Sequence, residues 1–354
     1  MTLQTLETDQ QIIRSNMAFW DREPSERPLV SIRIGGDCAF ELFEGSAYLR
    51  MKKDIRAEDV IPEKFLVDYE RWIRQMEHIR HDTFFALEPF FGVLWMNTIA
   101  GCRLDSTEDS AWVHPPRMSP EEWLKTPIQL DENPWFLKLM EFTETLIQFS
   151  DGRFPITQPL LRGPSDMLGA LLGDENAVID LAGESPLCVA MLDKCADLFI
   201  EVMKQFQSRL PRFHDGWLLG YYRLWAPGPT CRLQEDATSL YSPTMYRKYI
   251  KPLDEKILSH WEYNVIHLHS SQAFLLDEVL SIPCLKCLEF DVDFEKHVPE
   301  LIPLLQKVQS AGKCLIIDGY LSWPIFELIE ESLRPEGLLF HIKRRTPEEA
   351  EAFS

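Results

Sequence analysis

Two imidazoles, His267 and His269, stand two residues apart in the run Tyr263-Asn-Val-Ile-His-Leu-His-Ser-Ser271. The run reads as a strand, and strand parity puts both rings on one face. Upstream, Thr230-Cys-Arg-Leu-Gln-Glu-Asp236 reads as a second strand that ends in acid. Between them Ser242 and Pro243 open a helix running to about His260, with Ser as N-cap and Pro at the first helical position. Strand, helix and strand imply a parallel pair with a right-handed crossover. Ligands bind at the carboxyl ends of such strands, where Gln234, Glu235, Asp236, His267 and His269 fall. Imidazoles beside carboxylates suit a divalent metal, or metal-free acid–base work. The metal reading takes His267, His269 and Glu235 as ligands, with Asp236 as the alternative carboxylate.

The same parity argument locates further polar residues at strand ends. Arg33 closes Arg27-Pro-Leu-Val-Ser-Ile-Arg33 and could hold an anion. Glu88 closes Asp82-Thr-Phe-Phe-Ala-Leu-Glu88 among Phe84, Phe85, Phe90 and Phe91, where lost solvation would raise its pKa toward acid–base use. Arg162 ends Pro155–Arg162, Asp291 with Asp293 follows a sixth strand, Asp318 ends a seventh, and His341 lies in the last. Eight strands are expected: Val30–Arg33, Thr83–Glu88, Ile156–Leu161, Trp217–Glu235 (interrupted by an extruded loop), Val265–Ser270, Leu285–Asp291, Lys313–Asp318 and Gly337–Lys343. Eight alternating units specify an α/β fold, a (β/α)8 TIM barrel. Leu6, Ile13, Met17 and Trp20 recur at helical spacing, so residues 1–26 read as an N-terminal helical extension to a barrel over 27–345. Residues 104–132 read as a polar surface excursion. Trp95, Trp225 and Tyr320 could stack on a flat ligand.

The run Gln234-Glu-Asp-Ala, Leu240-Tyr-Ser-Pro and Tyr246, followed by a helix and Ile266-His-Leu-His-Ser270, resembles the uroporphyrinogen decarboxylase superfamily. The resemblance covers roughly residues 27–345 and implies one of two activities. The methyltransferase branch would move a methyl group from a small methylated substrate to a corrinoid protein or a folate, and it binds zinc through His-x-Cys on the fifth strand and a later Cys on the eighth. Here the fifth strand offers His267-Leu-His269, and the eighth offers His341. The decarboxylase branch is cofactor-free and acts on a porphyrinogen or other polycarboxylate. Its Arg-Gln-Ala-Gly-Arg-Tyr motif is matched by Arg33-Ile-Gly-Gly-Asp37, which keeps only the first Arg, and the Tyr on the helix after the third strand is missing. The resemblance implies Glu88, His341 and His267 as catalytic groups. It implies Arg33, Arg162, Trp95, Gln234, Asp236 and Asp318 as substrate contacts, with Trp95 on a loop over the mouth. Methyl transfer is the leading expectation, decarboxylation the alternative.

Composition narrows the rest. The chain has 354 residues and a formal charge of −20, which disfavours nucleic acid and anionic membranes as partners. No apolar run approaches the ~18 residues of a membrane span, and the polar start Met1-Thr-Leu-Gln-Thr-Leu-Glu7 has no signal-like pattern. A cytoplasmic enzyme with a small-molecule substrate is expected, and a homodimer is allowed. Eight scattered cysteines read as free thiols, and Cys284-x-x-Cys287 without a second pair reads as chance spacing.

Overall fold

The computed structural model describes residues 3–353, with side chains from Thr8 onward, so Leu6 lies outside the described side chains. The strands are β1 (Leu29–Ile34), β2 (Arg103–Ser106), β3 (Ala111–His114), β4 (Trp217–Leu219), β5 (Leu224–Ala226), β6 (Thr230–Gln234), β7 (Tyr263–His269), β8 (Cys287–Asp291), β9 (Cys314–Gly319) and β10 (Leu338–Arg344). Six of them form one parallel sheet in the order β1-β10-β9-β8-β7-β6. Helices separate β6 through β10, as parallel neighbours require. The crossover after β6 starts with Ser242, whose hydroxyl accepts from Met245 N, and widens to a π turn at Tyr246–Ile250 just ahead of Pro252, which brings no N–H.

Parity gives this sheet two unlike faces. Leu233, Ile266, Leu268, Leu288, Phe290, Leu315, Ile317, Phe340 and Ile342 are buried in the main apolar core. The opposite face begins at its amino end with Leu29, Val265, Cys287, Cys314, Ile316 and Leu339. Further along it turns polar. The register aligns Gln234, His267 and Glu289 across three strands, and His341, Asp318, Asp291 and His269 across four. A polar column on an otherwise buried face makes this side of the sheet the candidate for function.

Three expectations about strands are corrected. Segments 82–88 and 155–162 are extended but form no ladders. Asp82 N bonds Val30 O of β1 at 2.7 Å, Leu87 bridges Ile156, and Arg162 bridges Gln234 of β6. Pro155 and Pro159 supply no N–H to a ladder, and Pro89 ends the other segment. Trp217–Glu235 is not one interrupted strand either. β4 and β5 pair antiparallel as a separate hairpin, and β6 alone joins the sheet. The hairpin's turn, Gly220–Tyr222, packs Tyr222 and Leu219 against the apolar end of the polar face.

The N-terminal helix Leu3–Asp21 fastens this hairpin. Asn16 donates to Asp82 O and accepts from Trp225 N, while Trp20 Nε1 donates to Trp225 O. Its buried side chains are Asn16, Phe19 and Trp20, whereas Met17 is exposed. The excursion at 104–132 holds the β2–β3 hairpin and a short helix, Pro120–Lys125, capped by Ser119. No helix among the described residues is long and apolar enough to cross a membrane.

Candidate active site

The carboxyl ends of the strands enclose a cavity of about 320 Å³. Arg33, Arg232, Gln234, His267, His269, Asp291, Asp318 and Lys343 line it from the sheet, and Glu88, Phe91 and Tyr221 from flanking segments. Strand parity explains the convergence, because each contributing strand turns its odd or even set inward at the same level.

The sharpest geometry lies at His267, His269 and Asp236. His267 Nδ1 is 2.6 Å from Glu289 Oε2, and His269 Nδ1 is 2.7 Å from Asp293 Oδ1. The two rings meet edge to face at 4.5 Å. Their Nε2 atoms lie 3.6 and 3.8 Å from one oxygen, Asp236 Oδ1. That oxygen and His267 Nε2 are buried and have no hydrogen-bond partner. The other oxygen of Asp236 is held by Gln234 Nε2 at 2.6 Å and Arg162 at 3.3 Å. Burial, then Arg232 and His269, push His267 well below the usual imidazole range, so it is neutral and able to offer a lone pair.

Such a set fits a zinc ion. Zinc–ligand bonds of about 2.0–2.2 Å at tetrahedral angles separate ligand atoms by roughly 3.3–3.5 Å, close to the spacings seen. Carboxylates on the far ring nitrogens fix the tautomers that such binding needs. The cluster borders the cavity through His267 and His269.

Glu235 is corrected as the metal carboxylate. Its side chain points to the helical side, where Ser165 N and the Ser165 hydroxyl donate to Oε2. Glu235 and Asp236 follow the last residue of β6 and turn to opposite sides, so only Asp236 meets the imidazoles. Burial pushes Glu235 far above the ordinary carboxylate range, with Asp254 and Asp166 adding to it.

Around the cluster, Lys343 bridges Asp318 at 3.0 Å, Asp291 at 3.3 Å and Asp37 at 3.5 Å. Lys343 and His341 hold Asp318 below its usual range despite its burial. Arg33 packs its guanidinium over the Tyr221 ring at 4.2 Å. Glu88 sits beside Arg33, raised by burial against the opposing pull of Arg33, Arg223 and Arg232, and its Oε2 is buried without a partner.

In fold, the chain is similar to a methyltransferase from Methanosarcina mazei. The two superpose with a TM-score of 0.66 over 96% of this chain and 95% of that one, at 14% sequence identity. No family model and no curated protein matches the chain.

Of the residues expected at the site, Arg33, Glu88, Gln234, His267, His269 and Asp318 line the cavity. Arg162 and Asp236 line an adjoining outer chamber of about 670 Å³, which shares Asp37, Phe91 and Leu160 with the inner one. His341 lies beneath the cavity rather than on its wall. It is fully buried, its Nδ1 is 2.8 Å from Asp318 Oδ1, and Tyr221 and Tyr222 cover it. Trp95 is corrected: it is core, with Nε1 donating to Phe90 O, because the chain turns inward at left-handed Leu94. Trp225 is likewise buried, with Nε1 donating to Phe213 O. Tyr320 does line the cavity, its hydroxyl donating to Gly35 O. All eight cysteines are free thiols, and none belongs to a metal-capable cluster among the described residues.

Sequence reasoning missed Lys343, Glu289, Tyr221 and Tyr222. Parity alone could have found two of them, since Lys343 follows His341 by two and Glu289 precedes Asp291 by two. Tyr222 carries no such signal. Its hydroxyl donates to Glu289 Oε2 only because the hairpin inserts there.

Proposed function

We propose that the chain is a methyltransferase of the uroporphyrinogen decarboxylase superfamily. In this reading segments 82–88 and 155–162 complete an eight-unit (β/α)8 barrel around the cavity. Zinc is held by His267, His269 and Asp236, and a small methylated substrate occupies the inner chamber. The methyl acceptor is a corrinoid protein or a folate. The observation that carries the reading is the convergence of Asp236 Oδ1 with two imidazole Nε2 atoms, each ring fixed from behind by a carboxylate. The fold shared with a protein named as a methyltransferase agrees with it.

When bound, zinc would supply Lewis acidity to the thiol or heteroatom that gives or takes the methyl group. The chain's own residues do the rest. Glu289 and Asp293 orient the imidazoles, and Gln234 with Arg162 turns Asp236 so that one oxygen faces the cavity. Arg33, fixed over Tyr221, holds an anionic part of the substrate. Glu88, its pKa raised by burial, is placed to exchange a proton with a departing group.

Decarboxylation is the second reading, favoured by Arg33 beside the desolvated acid Glu88. A polycarboxylate needs surplus cations. Here Arg33, Arg232 and Lys343 share the cavity with Asp37, Glu88, Asp291, Asp293 and Asp318, and Lys343 is already engaged by three carboxylates.

The test pairs metal analysis with turnover. Purified enzyme should retain about one zinc per chain and lose it in His267→Ala. Methyl transfer from a small methylated thiol to a reduced corrinoid, releasing the thiolate, should need that zinc. A metal-free enzyme unimproved by added zinc, or one that converts uroporphyrinogen to less carboxylated products, would overturn the reading.

A further inference from the structure

The amino ends of the same strands carry a second feature, remote from the chemistry above. Residues just before β1, β8, β9 and β10 enclose a cleft of about 590 Å³. Arg22, Lys286 and Arg334 line it, against Asp21 and Glu336. In a chain of net charge −20, three cations on one small cleft run against the overall field. Among the described residues none of the three is in an ion pair, so their charge is available to a ligand in the cleft.

Arg22 is held there by unusual backbone. It adopts a left-handed conformation, φ 53°, at the end of the N-terminal helix, and packs against Gly312 and Gly337, whose φ values are 76° and 68°. A Cβ on Gly337 would meet the Arg22 side chain at 2.8 Å. One guanidinium nitrogen, Nη2, donates to Gln309 O at 3.0 Å, while Nε is buried without a partner. Across the cleft Glu336 Oε2 is also buried and partnerless. Orphaned buried polar atoms of this kind call for a ligand or ordered water. Strained backbone that fixes a charged side chain fits the same demand.

We propose that this cleft binds a phosphate monoester, with its phosphoryl group on Arg22, Lys286 and Arg334 and a hydroxyl of its organic part donating to Glu336. Planar guanidinium forks suit a phosphate, and the ammonium of Lys286 adds a point charge. The volume exceeds that of a bare phosphate and leaves room for a sugar-sized body. The site is separate from the methyl-transfer cavity and stands or falls without it.

Calorimetric titration of the full chain with ribose 5-phosphate tests the assignment, with inorganic phosphate and ribose alongside. Saturable one-to-one binding of ribose 5-phosphate is expected, with inorganic phosphate weaker and ribose silent. Arg334→Gln and the double variant Lys286→Gln with Arg334→Gln should weaken it by at least about tenfold, while His269→Ala leaves it unchanged. Both altered side chains lie toward solvent without partners, so the single variant serves if the double does not fold. Absence of saturation with either phosphate overturns the proposal, as do unchanged binding in Arg334→Gln and loss of binding in His269→Ala.

Discussion

Glu235 and Asp236 are chain neighbours with opposite fates. Asp236 turns one oxygen to two imidazoles at the cavity edge, and its other oxygen is satisfied by Gln234 and Arg162. Glu235 is buried on the helical side with Ser165, near Asp254 and Asp166. The one turns to the imidazoles and the other fastens inward: Ser165 lies in the first turn of the helix Pro164–Leu172, so Glu235 ties that helix start to the end of β6. Asp166 returns the connection by accepting from Asp236 N and Ala237 N at 2.9 and 3.0 Å. The lesson is that a carboxylate at a strand end gains its role from parity and from what it is locked to, more than from being an acid there.

The largest expected effect separates the two directly. Asp236→Asn should lose bound zinc altogether, because the oxygen shared by both Nε2 atoms is replaced or turned away. Glu235→Gln should keep its zinc and instead unfold at lower urea, since an amide replaces the buried acid that accepts from Ser165 N and the Ser165 hydroxyl. Metal content by mass spectrometry and urea midpoints measure both; equal zinc loss in the two variants would erase the distinction. A smaller effect is expected one layer out. Asp293→Asn leaves His269 in place but weakens the bond that orients its ring, so zinc affinity should fall by about 10- to 100-fold. Competition with a chromogenic chelator reads this, and an unchanged affinity would mean that His269 is not a ligand.

Much of the scaffold was legible beforehand because parallel strands announce themselves. Apolar runs near Val265, Leu288, Leu315 and Leu339 alternate with capped helices, and all became strands of one sheet. The segments ending at Glu88 and Arg162 looked equally strand-like, yet they bridge rather than ladder, since their prolines withhold donors. At the site, His267 and His269 were legible from spacing. The choice between Glu235 and Asp236 was not, because both lie just past the end of β6, where the turn into the next helix sets which way each side chain points. Trp95 misled because a loop aromatic looks available until its packing is known. Tyr221 and Tyr222 were illegible, since the β4–β5 hairpin reaches the polar column from outside the sheet's own pattern.

The helical side of the comparison has its own titration. Asp254 is wholly buried, accepts from the Tyr246 hydroxyl at 2.5 Å through Oδ2, and leaves Oδ1 without a partner. Burial pushes its pKa up to about 7, against an ordinary value of 3.8. The folded chain therefore holds this proton more tightly than the unfolded chain does. Between about pH 4 and pH 7 the unfolded state binds fewer protons, so stability falls as pH rises through that window and the loss is complete above it. Asp254→Asn keeps an acceptor for Tyr246, offers an amide donor to the partnerless Glu235 Oε1, and removes the charge. Its stability relative to the parent should be unchanged near pH 4 and higher at pH 8 by about 1–2 kcal/mol. Urea unfolding at the two pH values measures the difference. A gain of the same size at both would show that Asp254 acts through packing alone, and that the inward-facing carboxylates do not share the electrostatic burden assigned to them.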